Sequence, residues 1–248
     1  MLGIIGGSGL TQLSNLQSMR REVVRTPYGE ASGAVTLGKL NGRDVAFIAR
    51  HGYGHSIPPH AVNYRANVWA LHSLGVRRAV SVASVGGIRA DMKPGAIAVP
   101  HQVLDYTWGR KHTFFDGPDQ AVTHVDFTHP YCEELRAALL RAAGAAGLAV
   151  VTDGVYAATQ GPRLESAAEI DRLERDGADL VGMTGMPETG LAREIGLCYA
   201  TVAVIVNWAA GRGDSKEAVH LDAIRAVLTE AMGKVRLLLE KLVEEDGG

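Results

Sequence analysis

Short apolar runs alternate with segments of helical periodicity along most of the chain, a pattern that predicts a mostly parallel sheet with helices packed against it. The runs Met1 to Ile5, Val45 to Ala49, Ala79 to Val85, Ala96 to Leu104, Gly154 to Ala158, Leu180 to Gly182 and Tyr199 to Val206 read as strands. Several are too continuously apolar to carry a solvated face, so they are expected to be buried on both sides. Helical spacing marks Val62 to Leu74, Glu133 to Ala145, Ser166 to Arg175 and Pro187 to Ile195, with Pro187 suited to a first helical turn. From Lys216 onward, Leu221, Ile224, Leu228, Val235, Leu238 and Leu242 recur at helical steps, which predicts a long amphipathic helix closing the chain.

Composition narrows this α/β picture. With 248 residues, 46% of them hydrophobic, the chain can build one large core, and no repeat, low-complexity stretch or linker divides it; residues 1–248 are expected to form a single domain. A net charge of -2 without a basic tail gives little attraction to nucleic acid or an anionic membrane, so the expected partner is a small molecule. The start Met1-Leu-Gly-Ile-Ile-Gly-Gly7 has no charged leader, and no apolar run reaches the roughly 18 residues of a membrane span, which predicts a soluble, cytoplasmic protein. Cys132 and Cys198, far apart in sequence, read as two reduced thiols rather than as a disulfide framework or a cysteine metal cluster.

Two loops carry candidate chemistry. Gly6-Gly-Ser-Gly9 follows the first strand, where backbone N–H groups and the Ser8 hydroxyl could cradle an anion. It lacks the third Gly of a dinucleotide fingerprint, and no phosphate-binding G-x-x-x-x-G-K-[ST] occurs; a plain tight turn is the competing reading. Arg50-His-Gly-Tyr-Gly-His-Ser-Ile-Pro-Pro-His60 begins where another strand ends, the usual location of ligands in α/β proteins. Arg50 offers a planar fork suited to phosphate, and His51 and His55 add donors or proton relays. A surface loop with incidental histidines is one alternative, and a metal site built from His51, His55 and His60 is another, but no carboxylate or Cys follows at ligand spacing.

The segments Gly3-Ile-Ile-Gly-Gly-Ser-Gly9, Arg50-His51, Val62-Asn-Tyr-Arg-Ala-Asn-Val-Trp-Ala70, Gly161-Pro-Arg163 and Gly182-Met-Thr-Gly-Met-Pro-Glu188 span essentially the whole chain. In this order they resemble the trimeric purine nucleoside phosphorylase and methylthioadenosine phosphorylase family. The resemblance implies an α/β sandwich around a mixed, partly barrel-like sheet, assembled as a homotrimer. It implies phosphorolysis, in which phosphate as co-substrate displaces a purine from C1' of a nucleoside, with no metal or organic cofactor. Such a site must hold an anionic nucleophile below an oxocarbenium-like sugar and stabilise negative charge on the departing base.

By matching positions, Ser8, Arg50, His51, the Ala83-Ser84 pair and Thr184 form the phosphate site. Adenosine-type relatives carry a hydroxyl at the Ala83 position, so that donor is expected to shift to Ser84. Met183 is placed against sugar and base, although a Met beside a strand also serves as core filling. For the base, relatives that use adenine nucleosides carry Asp at the positions of Asn207 and Ala209. An Asn207 amide donates to N7 or O6 of a 6-oxopurine and so has the catalytic role, while Glu165 matches the glutamate that accepts from N1. Both also fit bland roles, Asn207 as a strand-end turn and Glu165 as a helix-start carboxylate.

On the 5' side, aligning on Asp222 puts Leu221 where nucleoside phosphorylases place a His and methylthio-specific relatives a small apolar residue. A slip of one residue would put His220 there instead. The region Phe114-Phe-Asp-Gly117 with His124 matches a segment that reaches the neighbouring subunit's sugar pocket. The expected substrate is S-methyl-5'-thioinosine, giving hypoxanthine and 5-methylthioribose 1-phosphate. Inosine or guanosine, then methylthioadenosine, and a non-catalytic purine-binding protein are the alternatives.

Overall fold

The computed structural model describes residues 1–11, 13–118 and 120–245. The most continuously apolar run becomes the centre of the sheet: β1 (Leu2–Gly6), buried throughout, lies parallel between β4 (Arg43–Ala49) and β5 (Arg78–Gly87). Outside β4, the antiparallel strands β3 (Val35–Leu40) and β2 (Gln17–Glu22) complete that edge. β10 (Cys198–Trp208) follows β5 in parallel along its whole length. The opposite edge of β5 is shared, with β1 beside Arg78 to Ser81 and the antiparallel β9 (Leu180–Gly182) beside Gly86 and Gly87. From β9 the sheet continues in parallel through β8 (Val155–Ala158) to β7 (Gln102–Asp105), while the short β6 (Ile97–Ala98) pairs antiparallel with β10.

The sheet is therefore mixed, with less parallel pairing than the alternation of strands and helices predicts. The exposed and polar β2 offers no apolar alternation to read, and Pro100 lies in the gap between β6 and β7, so the single expected run Ala96 to Leu104 becomes two short strands.

Helices α2 (Glu133–Ala145) and α5 (Leu221–Glu245) press Leu135, Leu139, Leu238 and Leu242 onto Val80, Val202 and Val204. Each fully buried aliphatic side chain there stabilises the fold by roughly 1.5–3 kcal/mol. Helices α1 (Tyr64–Ser73) and α4 (Gly185–Glu194) bury Val68, Leu71 and Leu191 in a second cluster with Ile5 and Ile48. Helix α3 (Ala167–Arg175) starts at a capping box in which the Ser166 hydroxyl accepts from the Glu169 N–H and the Glu169 carboxylate accepts from the Ser166 N–H. In α4, Met186 is non-helical, so the regular turns begin at Pro187, where the sequence places them.

One expectation is overturned. Cys132 and Cys198 form a disulfide. Sequence separation hid their proximity: α2 begins where β10 begins, and the Cys132 N–H donates to the Tyr199 carbonyl at 2.8 Å.

Candidate active site

The carboxyl ends of β1, β4, β5, β8, β9 and β10 converge on a cavity of about 670 Å³, with the first turns of α5 along its open side. Ser8, Arg50, His51, Ala83, Ser84, Glu165, Met183, Thr184, Asn207, Ala209 and Leu221 all line it. His124 does not; it is exposed and outside the cavity. Parallel pairing brings the ends of β1, β4, β5 and β10 to one side of the sheet, and β9, with β8 parallel to it, reaches the same place by pairing antiparallel with the last residues of β5.

Close backbone approach shapes the end of the cavity beside Ser8 and Arg50. A Cβ on Gly7 would stand 2.4 Å from the Val82 carbonyl and 2.9 Å from Arg50 Nη1, so only glycine lets this loop lie over the guanidinium. The Ser84 hydroxyl donates to the Ser8 carbonyl at 3.3 Å, tying the loop to β5. Thr184 precedes α4 and its side chain makes no capping bond, while its N–H points at the Tyr156 hydroxyl at 3.4 Å. The positive end of the α4 dipole thus adjoins the same end of the cavity.

Arg50 does not present its fork to the cavity. Nε and Nη2 grip both Glu188 oxygens at 2.7 and 2.9 Å, Nη2 also donates to Ser81 Oγ, and Nη1 donates to the Val82 carbonyl at 3.0 Å. These bonds take four of five N–H groups, and one on Nη1 remains for a ligand. Burial is the largest influence and disfavours the Arg50 cation, but the charge and hydrogen bonds of Glu188, with smaller help from Tyr199 and Tyr64, together outweigh it and hold the group above its ordinary value. Tyr199, kept protonated by burial and by the same carboxylate, donates to Glu188 Oε1 at 2.7 Å. The bidentate grip expected for phosphate is spent inside the protein, because a fully buried guanidinium needs an ionic partner whether or not a ligand is bound.

His51 Nδ1 lies 2.8 Å from the Ile57 carbonyl, which can only accept, so Nδ1 carries the proton and Nε2 is an acceptor. Burial first, then the Arg50 charge, pushes its pKa down to about 4. Between that value and the ordinary 6.5 the unfolded chain binds the proton that the folded chain refuses. Stability from this group is therefore complete above 6.5 and is lost as pH falls toward 4, with a slope of up to about 1.4 kcal/mol per pH unit. Burial lowers His55 in the same direction. Urea unfolding at pH 7 and pH 5 is expected to show this loss, and His51→Gln to reduce it. Among the described residues no group of three or more His, Cys, Asp or Glu is arranged to hold a metal ion.

At the end of β10, a register shift between Ile205 and Asn207 breaks the alternation of the strand, so Val206 and Asn207, successive residues, both face the cavity. Asn207 Nδ2 donates to the Trp208 carbonyl at 2.6 Å, which identifies the nitrogen and leaves the amide a second N–H and its oxygen. Glu165 Oε1 accepts from Thr159 Oγ1 at 2.6 Å. Ala209 is buried and its N–H is spent on the Gly87 carbonyl at 2.8 Å. Met183 packs under Gly161, where a Cβ would stand 2.3 Å from its sulfur.

The far end of the cavity is lined by Val219, Leu221, Ile224 and Leu228, and His220 is not among its lining residues. Leu221 lies at the start of α5 and is 63% exposed.

Several contributors are absent from the sequence reading. Arg110 is buried and donates to the carbonyls of Met183, Met186, Thr159 and Gln160, joining the segment after β9 to the segment after β8 with a single guanidinium. Thr159, Ser81 and Tyr199 act through contacts between segments distant in sequence. Only Glu188, inside the Gly182 to Glu188 segment, had a visible signal: an acid just after a buried strand and a proline.

The chain belongs to the phosphorylase superfamily, whose family model matches residues 1–244. It has the nucleoside phosphorylase fold: a methylthioadenosine phosphorylase from Schistosoma mansoni, solved with adenine, superposes with a TM-score of 0.94 at 33% identity, covering 99% of this chain and 91% of that one. A Pseudomonas syringae protein named "Probable S-methyl-5'-thioinosine phosphorylase" is 51% identical over 97% of each chain. A 6-oxopurine nucleoside phosphorylase from Pyrococcus furiosus is 45% identical, covering 96% of this chain and 90% of its own.

Proposed function

We propose that residues 1–248 form one phosphorylase domain that cleaves S-methyl-5'-thioinosine with phosphate, releasing hypoxanthine and 5-methylthioribose 1-phosphate in cytoplasmic purine salvage. The observation that carries this reading is the polarity of this cavity, with Asn207 and Glu165 at one end and Val219, Leu221, Ile224 and Leu228 at the other. An acceptor at O6 and a donor at N1 match an amide N–H and a carboxylate, whereas adenine reverses both. A methylthio group gains from apolar contact where a 5'-hydroxyl would be left without a partner.

In this mechanism the backbone around Ser8, the Thr184 hydroxyl, the last Arg50 N–H and His51 Nε2 hold phosphate beneath C1'. Because Arg50 is neutralised by Glu188 and His51 is neutral, the cradle works by oriented hydrogen bonds more than by net charge, with His51 Nε2 accepting from a protonated phosphate oxygen. Met183 lies against the sugar. As the glycosidic bond breaks, the free N–H of Asn207 stabilises charge on the base, and Glu165 holds N1–H. Phosphate is the co-substrate and the reading invokes no cofactor. The assembly belonging to it is a homotrimer, with the segment around His124 reaching the neighbour's sugar pocket.

The test compares S-methyl-5'-thioinosine with inosine, each with and without phosphate. We expect phosphate-dependent turnover, 5-methylthioribose 1-phosphate as product, and kcat/KM higher by about tenfold or more for the methylthio substrate, the scale of one polar group left unpaired. Preference for inosine would remove Leu221 from specificity and favour the activity for which the 45%-identical relative is named. Turnover without phosphate would exclude phosphorolysis.

A further inference from the structure

Glu165 is held from behind by a residue that does not line the substrate cavity. Thr159 Oγ1 donates to Glu165 Oε1 at 2.6 Å; the Gly182 carbonyl, at 3.2 Å from the same hydroxyl, is the weaker competitor for its one proton. Thr159 is itself fixed, its N–H on the Gly182 carbonyl at 2.8 Å and its carbonyl accepting from Arg110 at 3.2 Å. Thr159 and Glu165 both line a second recess of about 280 Å³, with Glu165 common to this recess and the substrate cavity. The pair therefore forms a wall between the two spaces.

We propose that Thr159 is a specificity-determining positioning residue that makes the site prefer hypoxanthine over guanine. This rests on the reading above, in which Glu165 accepts from N1 of a 6-oxopurine. Hypoxanthine offers one donor on that edge, N1–H, and needs one carboxylate oxygen. Guanine offers two parallel donors, N1–H and the 2-amino group, which match a carboxylate whose two oxygens are both free. With Oε1 committed to Thr159, the 2-amino group meets an oxygen already hydrogen-bonded and turned toward the wall. Its donor is left poorly paired in a half-buried site, a loss that translates into discrimination.

The test measures kcat/KM for S-methyl-5'-thioinosine, its 2-amino counterpart S-methyl-5'-thioguanosine, and methylthioadenosine, using the wild type, Thr159→Val and Thr159→Ser. The wild type is expected to favour the hypoxanthine nucleoside over the guanine nucleoside by about tenfold or more. Thr159→Val, which frees Oε1, is expected to bring that ratio close to one. Thr159→Ser, which keeps the hydroxyl, is expected to retain the wild-type ratio; a merely structural threonine would depress both substrates together. A wild-type ratio near one, with methylthioadenosine rejected, overturns the role of Thr159 alone, and does so even if the valine variant fails to fold. An unchanged ratio in a folded valine variant overturns it as well. Methylthioadenosine outrunning both 6-oxopurine nucleosides would instead overturn the Glu165 reading beneath it.

Discussion

Asn207→Asp is expected to lower turnover of 6-oxopurine nucleosides by about two orders of magnitude, the scale of removing one oriented donor from developing charge. The substitution keeps shape and volume but replaces an N–H by an acceptor. In the native site Asn207 Nδ2 is pinned by the Trp208 carbonyl at 2.6 Å, which aims the second N–H without any cost at the moment of reaction. A carboxylate there would face that carbonyl with like partial charge, so the side chain loses both its donor and its orientation. In the proposed mechanism phosphate is held on the other side of the sugar, so the KM for phosphate should move little. Steady-state kinetics separates the two quantities, and an unchanged turnover would remove Asn207 from the mechanism.

The second large effect is expected at a residue that does not touch substrate. Glu188→Gln should destabilise the protein by about 3–5 kcal/mol, because it leaves a fully buried guanidinium without its counter-charge. In a chain of this size that corresponds to a fall of on the order of 10 °C in Tm. Arg50 is held at a fixed distance from the Gly7 loop by this pair, by Ser81 and by the Val82 carbonyl, so loosening it also misplaces the one N–H left for phosphate. The KM for phosphate should therefore rise at temperatures where the variant is still folded. Thermal unfolding together with phosphate titration checks both parts; a variant of native Tm would show that the buried pair is not what holds Arg50.

Sequence revealed those parts of the site that chemistry marks locally. The Ser8 loop, Arg50-His51 and Thr184 stand just after apolar strands, Glu165 follows β8 by a loop and Asn207 closes the apolar run of β10, and strand pairing brings all of them to one rim. What escaped depended on tertiary neighbours. A guanidinium fork reads the same in sequence whether it grips a ligand or Glu188, and Thr159 looks like any strand-end threonine until its hydroxyl meets Glu165. The disulfide was hidden for the same reason, since α2 returns to the start of β10 across 66 residues. The bulge that turns Asn207 into the cavity also has no signature in the run Tyr199 to Val206, which reads as an uninterrupted strand. Where the sequence leaves Leu221 and His220 as alternatives one residue apart, the fold puts Leu221 in the cavity lining and leaves His220 out of it.

In the proposed mechanism Asn207 and Glu165 together select a 6-oxopurine. The ratio of kcat/KM for S-methyl-5'-thioinosine to that for methylthioadenosine, measured at saturating phosphate, tests it without any variant. Donor and acceptor mismatches at both N1 and position 6 predict a ratio on the order of 10⁴ in favour of the inosine form. A ratio at or below about one would contradict it, since a site built from these two groups cannot pay the same price for both bases.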